Sequence, residues 1–103
     1  MSGAREEGGV STRSSQKLGR PGRLRVLLHN DDYTTQEFVV MVLQSVFHHP
    51  PAEAVRLMLE VHERGLAVAG LYPREIAESK AARVRELARE AEFPFLCTTA
   101  PEG

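Results

Sequence analysis

A single cysteine, Cys97, in 103 residues excludes an internal disulfide framework and a four-cysteine zinc site. It also makes a reducing compartment the simpler expectation. No apolar run approaches the roughly 20 residues that a membrane-spanning helix needs. Met1 to Gln16 is mostly Gly, Ser, Arg and Glu, without the apolar stretch of a secretory signal peptide, so a cytoplasmic protein is expected. No glycine-rich phosphate loop occurs anywhere in the chain. Excess positive charge is missing too. The net charge of −1 divides into +3 over residues 1–23 and −4 over the remainder, whereas a bulk nucleic-acid binder needs the opposite sign on its folded part.

What is present suits one small soluble domain, 42% hydrophobic and 26% charged, with a modest core. Residues 1–23 are rich in Gly, Ser and Arg, with only Val10 and Leu18 as sizeable apolar side chains. Such a segment cannot bury enough surface to offset its ordering entropy. A disordered tail is expected there, either inert or engaging a partner, followed by a folded domain over 24–103.

Leu24 to His29 alternates as a strand with Leu24, Val26 and Leu28 inward. Asn30, Asp31 and Asp32 end it, because short polar side chains compete for backbone hydrogen bonds. Thr34 and Glu37 have capping-box spacing and predict a helix start. Phe38, Val39, Val42, Leu43, Val46 and Phe47 then form its buried stripe, and His48-His49-Pro50-Pro51 ends it. A second helix is expected over Pro51–Arg64, with Val55, Met58, Leu59 and His62 on one face and Leu57 and Val61 alongside. Gly65 is a suitable stop. Leu66–Tyr72 reads as a buried strand. Pro73 opens a third helix with Ile76, Ala77, Val84, Leu87, Ala88 and Ala91 inward, and Phe95–Thr99 is the last strand. The order β-α-α-β-α-β makes an α+β domain, a small three-stranded sheet packed by three helices.

The Asn30–Asp32 corner has three readings: it satisfies a helix start, binds a metal, or receives an outside donor. As metal ligands, Asp31, Asp32 and His62 number at most three, and no Asp-x-Asp-x-Asp-Gly loop follows. A catalytic set of Cys97, His62 and Asp31 is disfavoured, since Cys97 sits in a strand without a helix N-terminus or basic neighbour. A lone histidine on an apolar helix face is commonly a packed residue. Here Met58, Val61 and His62 share a patch that Val39 can face. Beside Asn30 and Asp31, that patch makes an apolar pocket with a partly anionic mouth, suited to a hydrophobic side chain next to a positive charge. A free peptide N-terminus offers that combination in its first residue.

Asn30-Asp31-Asp32-Tyr33-Thr34, Glu37-Phe38-Val39, Leu57-Met58 through Val61-His62, Gly65 and Ala77-Glu78-Ser79-Lys80 strongly resemble the ClpS family. These are the bacterial adaptors that feed N-end-rule substrates to the Clp protease. The likeness covers roughly residues 24–99. It implies that Asn30, Asp31 and His62 hydrogen-bond the ligand's α-amino group. Asp32, Thr34, Val39, Met58 and Val61 would shape the pocket for a first residue such as Leu, Phe, Tyr or Trp. Gln36 stands where the best-known members carry a methionine and is expected to alter the Leu-versus-Ile preference. Phe95 stands where they carry a leucine near the pocket and is expected to shorten it and disfavour Trp. Glu75 and Lys80 would dock the N-terminal domain of a ClpA- or ClpC-type AAA+ unfoldase. The resemblance thus implies a non-enzymatic monomer without metal or cofactor, binding N-degron peptides but neither nucleic acid nor membrane. The competing reading is a structural or assembly domain with no ligand pocket, its corner merely capping the first helix. Under the adaptor reading, replacing Asp31 by Ala is expected to leave stability nearly unchanged while abolishing peptide binding.

Overall fold

The computed structural model describes residues 22–102. The expected disordered tail therefore lies outside the described residues, except Gly22 and Arg23, and Arg23 already belongs to a strand. That strand, β1 (Arg23–His29), buries Leu24, Val26 and Leu28 at 4%, 0% and 0% exposure. It is the centre of a three-stranded antiparallel sheet, between β2 (Leu66–Pro73) and β3 (Leu96–Pro101). Helices α1 (Gln36–Ser45), α2 (Pro51–Arg64) and α3 (Arg74–Ala91) complete the order β-α-α-β-α-β. α3 packs on all three strands, while α2 bridges β2 and α1.

Where the structure departs from the sequence pattern, packing chose between two admissible faces. α2 turns Ala54, Leu57, Met58 and Val61 inward and leaves Val55 and Leu59 about two-fifths exposed, at 42% and 41%. The inward set repeats the expected spacing one position earlier, which is about 100° around the helix. Its small Ala54 allows close approach, and the same rotation places His62 on the exposed surface. β2 is an edge strand rather than a buried one. Ala67 and Ala69 point inward, while Leu66 and Val68 are exposed, and the register slips between Val26 and Leu27 so that Ala69 is the extra residue. α3 likewise presents Ala77, Ala81, Val84 and Ala88 to the sheet, leaving Ile76 and Ala91 exposed.

Two glycines are dictated by geometry. Gly65 ends α2 at φ 84°, a left-handed conformation that side-chain-bearing residues adopt at a cost. Gly70 lies under the Tyr72 ring, and a Cβ there would fall 2.5 Å from the Tyr72 hydroxyl oxygen. Side chains also reach the outer strands. His49 Nε2 lies 2.6 Å from the Ala69 carbonyl oxygen, and Arg85 donates to the Cys97 carbonyl at 3.0 Å, which leaves fewer bare groups for edge-to-edge pairing.

Candidate functional site

The site is assembled at the end of β1, and a backbone hydrogen bond explains why two distant stretches meet there. Gly65 donates its N–H to the Val61 carbonyl, closing α2, and its own carbonyl accepts the Asn30 N–H at 3.0 Å. The first residue after β1 is thereby pinned to the C-terminal end of α2, one turn from His62. Asp31 then shapes the loop. Its Oδ1 accepts the N–H groups of Tyr33 at 2.8 Å and Thr34 at 2.7 Å, and its Oδ2 accepts the Thr34 hydroxyl at 2.7 Å. Because Thr34's hydroxyl is engaged in this way, it does not cap the helix as its spacing suggested. Thr35 does so, its Oγ1 accepting the Phe38 N–H at 3.1 Å.

Between this loop, the first turn of α1 and the last turns of α2 lies a cavity of 490 Å³. Val39, Met58 and Val61, each under a tenth exposed, form its apolar floor. Asn30, Asp31, Asp32, Thr34, Gln36 and His62 stand around it, together with Tyr33, Thr35 and Glu37. Among the described residues, the side chains of Asn30, Asp32 and His62 have no hydrogen-bond partner, so their acceptor atoms remain open. Partial burial pushes the Asp31 carboxyl upward, but the donors from Thr34 and Tyr33 outweigh it and hold the group below its ordinary value of 3.8. Asp31 is thus ionised at neutral pH. Three carboxylates and no lysine or arginine line the cavity, while the partial charges of the α2 C-terminal end and the α1 N-terminal end, which both border it, are of opposite sign. The electrostatics favour a cation with an apolar appendage.

Not every expected residue is brought here. Phe95 does not line the cavity; it is buried in the core, edge-on to Phe38 with ring centroids 5.9 Å apart. It stands just before β3, with its ring packed against Phe38 of α1, and does not border the pocket. Cys97 faces inward opposite Leu28 and is 1% exposed. Burial pushes its thiol up to about 11 despite the opposing effect of Arg85, which keeps it predominantly in the thiol form at neutral pH. No group of three or more His, Cys, Asp or Glu side chains among the described residues could hold a metal ion, and none of the described helices is long and apolar enough to cross a membrane. Glu75 and Lys80 lie on α3, away from the cavity. Glu75 is exposed, whereas Lys80 is half-buried. Its ammonium donates to the Val46 carbonyl at 2.7 Å at the end of α1, 5.2 Å from the Tyr72 ring centroid and 5.9 Å from that of Phe47.

Sequence reasoning passed over a second hollow, of 650 Å³, which runs along the outer side of α1 and shares Gln36, Glu37 and Met58 with the first. Its polar lining is Gln36, Glu37, Gln44 and Ser45, with Val40, Met41 and Met58 as its apolar part. The signal for it was available in Val40 and Met41, apolar residues outside the buried stripe of α1, the first half-buried and the second 39% exposed.

Comparison with known proteins bears on the family and the fold. Residues 19–98 match the family described as ATP-dependent Clp protease adaptor protein ClpS. The ATP-dependent Clp protease adapter protein ClpS of Desulfatibacillum aliphaticivorans is 53% identical over 95 residues, covering 92% of this chain and 91% of the relative. That of Maricaulis maris is 44% identical over 100 residues, covering 97% and 92%. Among solved structures, Agrobacterium tumefaciens ClpS2 bound to L-phenylalaninamide superposes with a TM-score of 0.78 at 44% identity, covering 81% of this chain and all of that one.

Proposed function

The chain belongs to the ClpS family of ATP-dependent Clp protease adaptors, and from that premise we propose that its cavity captures the free N-terminus of a substrate polypeptide. The observation that carries this reading is the open acceptor set of Asn30, Asp31 and His62 above an apolar floor, without a competing cation. Asp31 keeps a lone pair on Oδ2 after accepting from Thr34. Asn30 supplies its amide oxygen and His62 a ring nitrogen. Together they match the three N–H donors of an α-ammonium group, and a bulky first side chain rests on Val39, Met58 and Val61 inside the wall formed by Asp32, Thr34 and Gln36. The phenylalaninamide held by the A. tumefaciens relative is a ligand of this chemical form.

Three charge-assisted hydrogen bonds of about 1.5–3 kcal/mol each, with a buried side chain of similar worth, are opposed by several kcal/mol of lost freedom. The gains total about 6–12 kcal/mol, and the net after that loss is at most about −8 kcal/mol, so affinity is on the order of micromolar or weaker, which suits an adaptor that must release its cargo. Delivery is to the N-terminal domain of a ClpA- or ClpC-type unfoldase through the α3 face. Glu75 acts there directly, while Lys80 contributes through the aromatic shelf and helix end that it holds together. The protein acts as a monomer in the cytoplasm, without catalysis. Gln36 replaces a hydrophobic wall by a flexible amide and relaxes the choice between Leu and Ile as first residue.

The test is a titration of the full chain with short peptides that differ only in their first residue, each with a free and an acetylated amine. Free-amine Phe and Leu peptides should bind and their acetylated forms should not. Equal binding of the two forms would show the hollow to be unrelated to an ammonium group. A purely structural domain predicts no binding of any peptide.

A further inference from the structure

The groove along α1 has no role in holding the first residue, yet it begins at that residue's wall, since Gln36, Glu37 and Met58 border both hollows. We propose that this groove takes the side chain of the third residue of the bound polypeptide, aliphatic residues being preferred; the inference rests on the reading of the cavity as an N-terminus site. Gln36 and Gln44 stand at its two ends, eight residues apart on one helix, so it extends for about 12 Å. An extended chain advances roughly 3.3 Å per residue and alternates its side chains between faces, so about four residues cross that length. If the first side chain points into the protein, so does the third, while the second and fourth point to solvent.

The chemistry of the walls fits such an occupant. Val40 packs partly against the core, Met41 is 39% exposed, and Met58 forms the partition between the hollows. Met41 and Met58 are unbranched and adaptable, suited to side chains of varied outline. The Gln36 and Gln44 amides each carry donors and an acceptor, as needed by a passing main chain whose own groups would otherwise lose water.

The test uses the full chain and free-amine peptides of sequence Phe-Gly-X with a common remainder, X being Leu, Met, Ala or Gly, read by fluorescence anisotropy. Leu at the third position should bind about fivefold more tightly than Gly, as expected for partial burial of one aliphatic side chain. In Met41→Ala that ratio should fall to within about twofold, and Met41→Glu should bring it to about one. A ratio near one in the unmodified protein, with free-amine Phe peptides binding and acetylated ones not, overturns the groove assignment alone. A third-residue preference unchanged in both Met41 variants also overturns it. Failure of every free-amine Phe peptide to bind, or equal binding after acetylation, overturns the N-terminus reading and this inference together.

Discussion

Replacing Asp31 by alanine separates the two jobs that this carboxylate performs. The side chain accepts two backbone N–H groups and one hydroxyl within its own loop, at 2.7–2.8 Å, so the expectation of nearly unchanged stability does not survive the structure. Tyr33 is exposed and Thr34 half-buried, which lets water replace part of what is lost. The cost then resembles that of a lost helix cap, about 1–2 kcal/mol, or a fall of roughly 4–16 °C in Tm for a domain of this size. Asp31→Asn, which retains one oxygen for the backbone donors, should recover part of the stability but not the charge. Peptide affinity should fall tenfold or more in both variants, because a direct acceptor is removed as well as the loop's order. The sign with pH follows from the lowered Asp31 value: its stabilisation is fully present above the ordinary 3.8 and lost as pH falls through the folded value. The stability gap between wild type and Asp31→Ala should therefore be full at neutral pH and close in strong acid. Thermal unfolding across pH, paired with anisotropy titrations, measures both effects. A Tm for Asp31→Ala within a degree or so of wild type would refute the loop argument, and unaltered affinity in both variants would refute the amine contact.

His62→Ala should weaken binding of a Phe peptide tenfold or more, since one of the three acceptors for the ammonium is lost; unaltered affinity would remove His62 from the contact set. Gly65→Ala should cost about 1 kcal/mol or more from the left-handed φ and weaken peptide binding by loosening the Asn30 anchor, both read from unfolding and titration of the same variant. The Cys97 thiol should resist iodoacetamide in the native protein and react only on unfolding, as mass spectrometry would record; rapid native labelling would contradict its burial. Lys80→Met should lower stability by about 1 kcal/mol through loss of the bond to Val46 and the ring contacts. If unfolding is unaffected, the ammonium is not holding that helix end.

Much of the fold was legible because β1 and α1 each admit one burial pattern. Leu24, Val26 and Leu28 alternate, and the residues from Phe38 to Phe47 hold one apolar stripe wide enough to bury, with Val40 and Met41 outside it. The α2 face was not legible in the same way. Its apolar residues outnumber the positions that one face can hold, so Val55–Leu59 and Ala54–Leu57–Val61 were both admissible. Likewise the Thr34–Glu37 spacing pointed to Thr34 as the cap, and only the engagement of Thr34 by Asp31 leaves that place to Thr35. Phe95 was placed at the pocket by likeness, whereas the structure uses it as a core ring against Phe38.

The linear order of residues determined which chemistry this protein could offer: three short acceptors after a strand, a Met-x-x-x-His helix and a glycine stop. Those properties are local, fixed by side-chain identity and periodicity. Only the tertiary structure decided that the acceptors are open and the floor apolar. That outcome depends on the rotation of α2, which small alanines at the sheet allow, and on one hydrogen bond from Asn30 to Gly65, a contact between residues far apart in the chain.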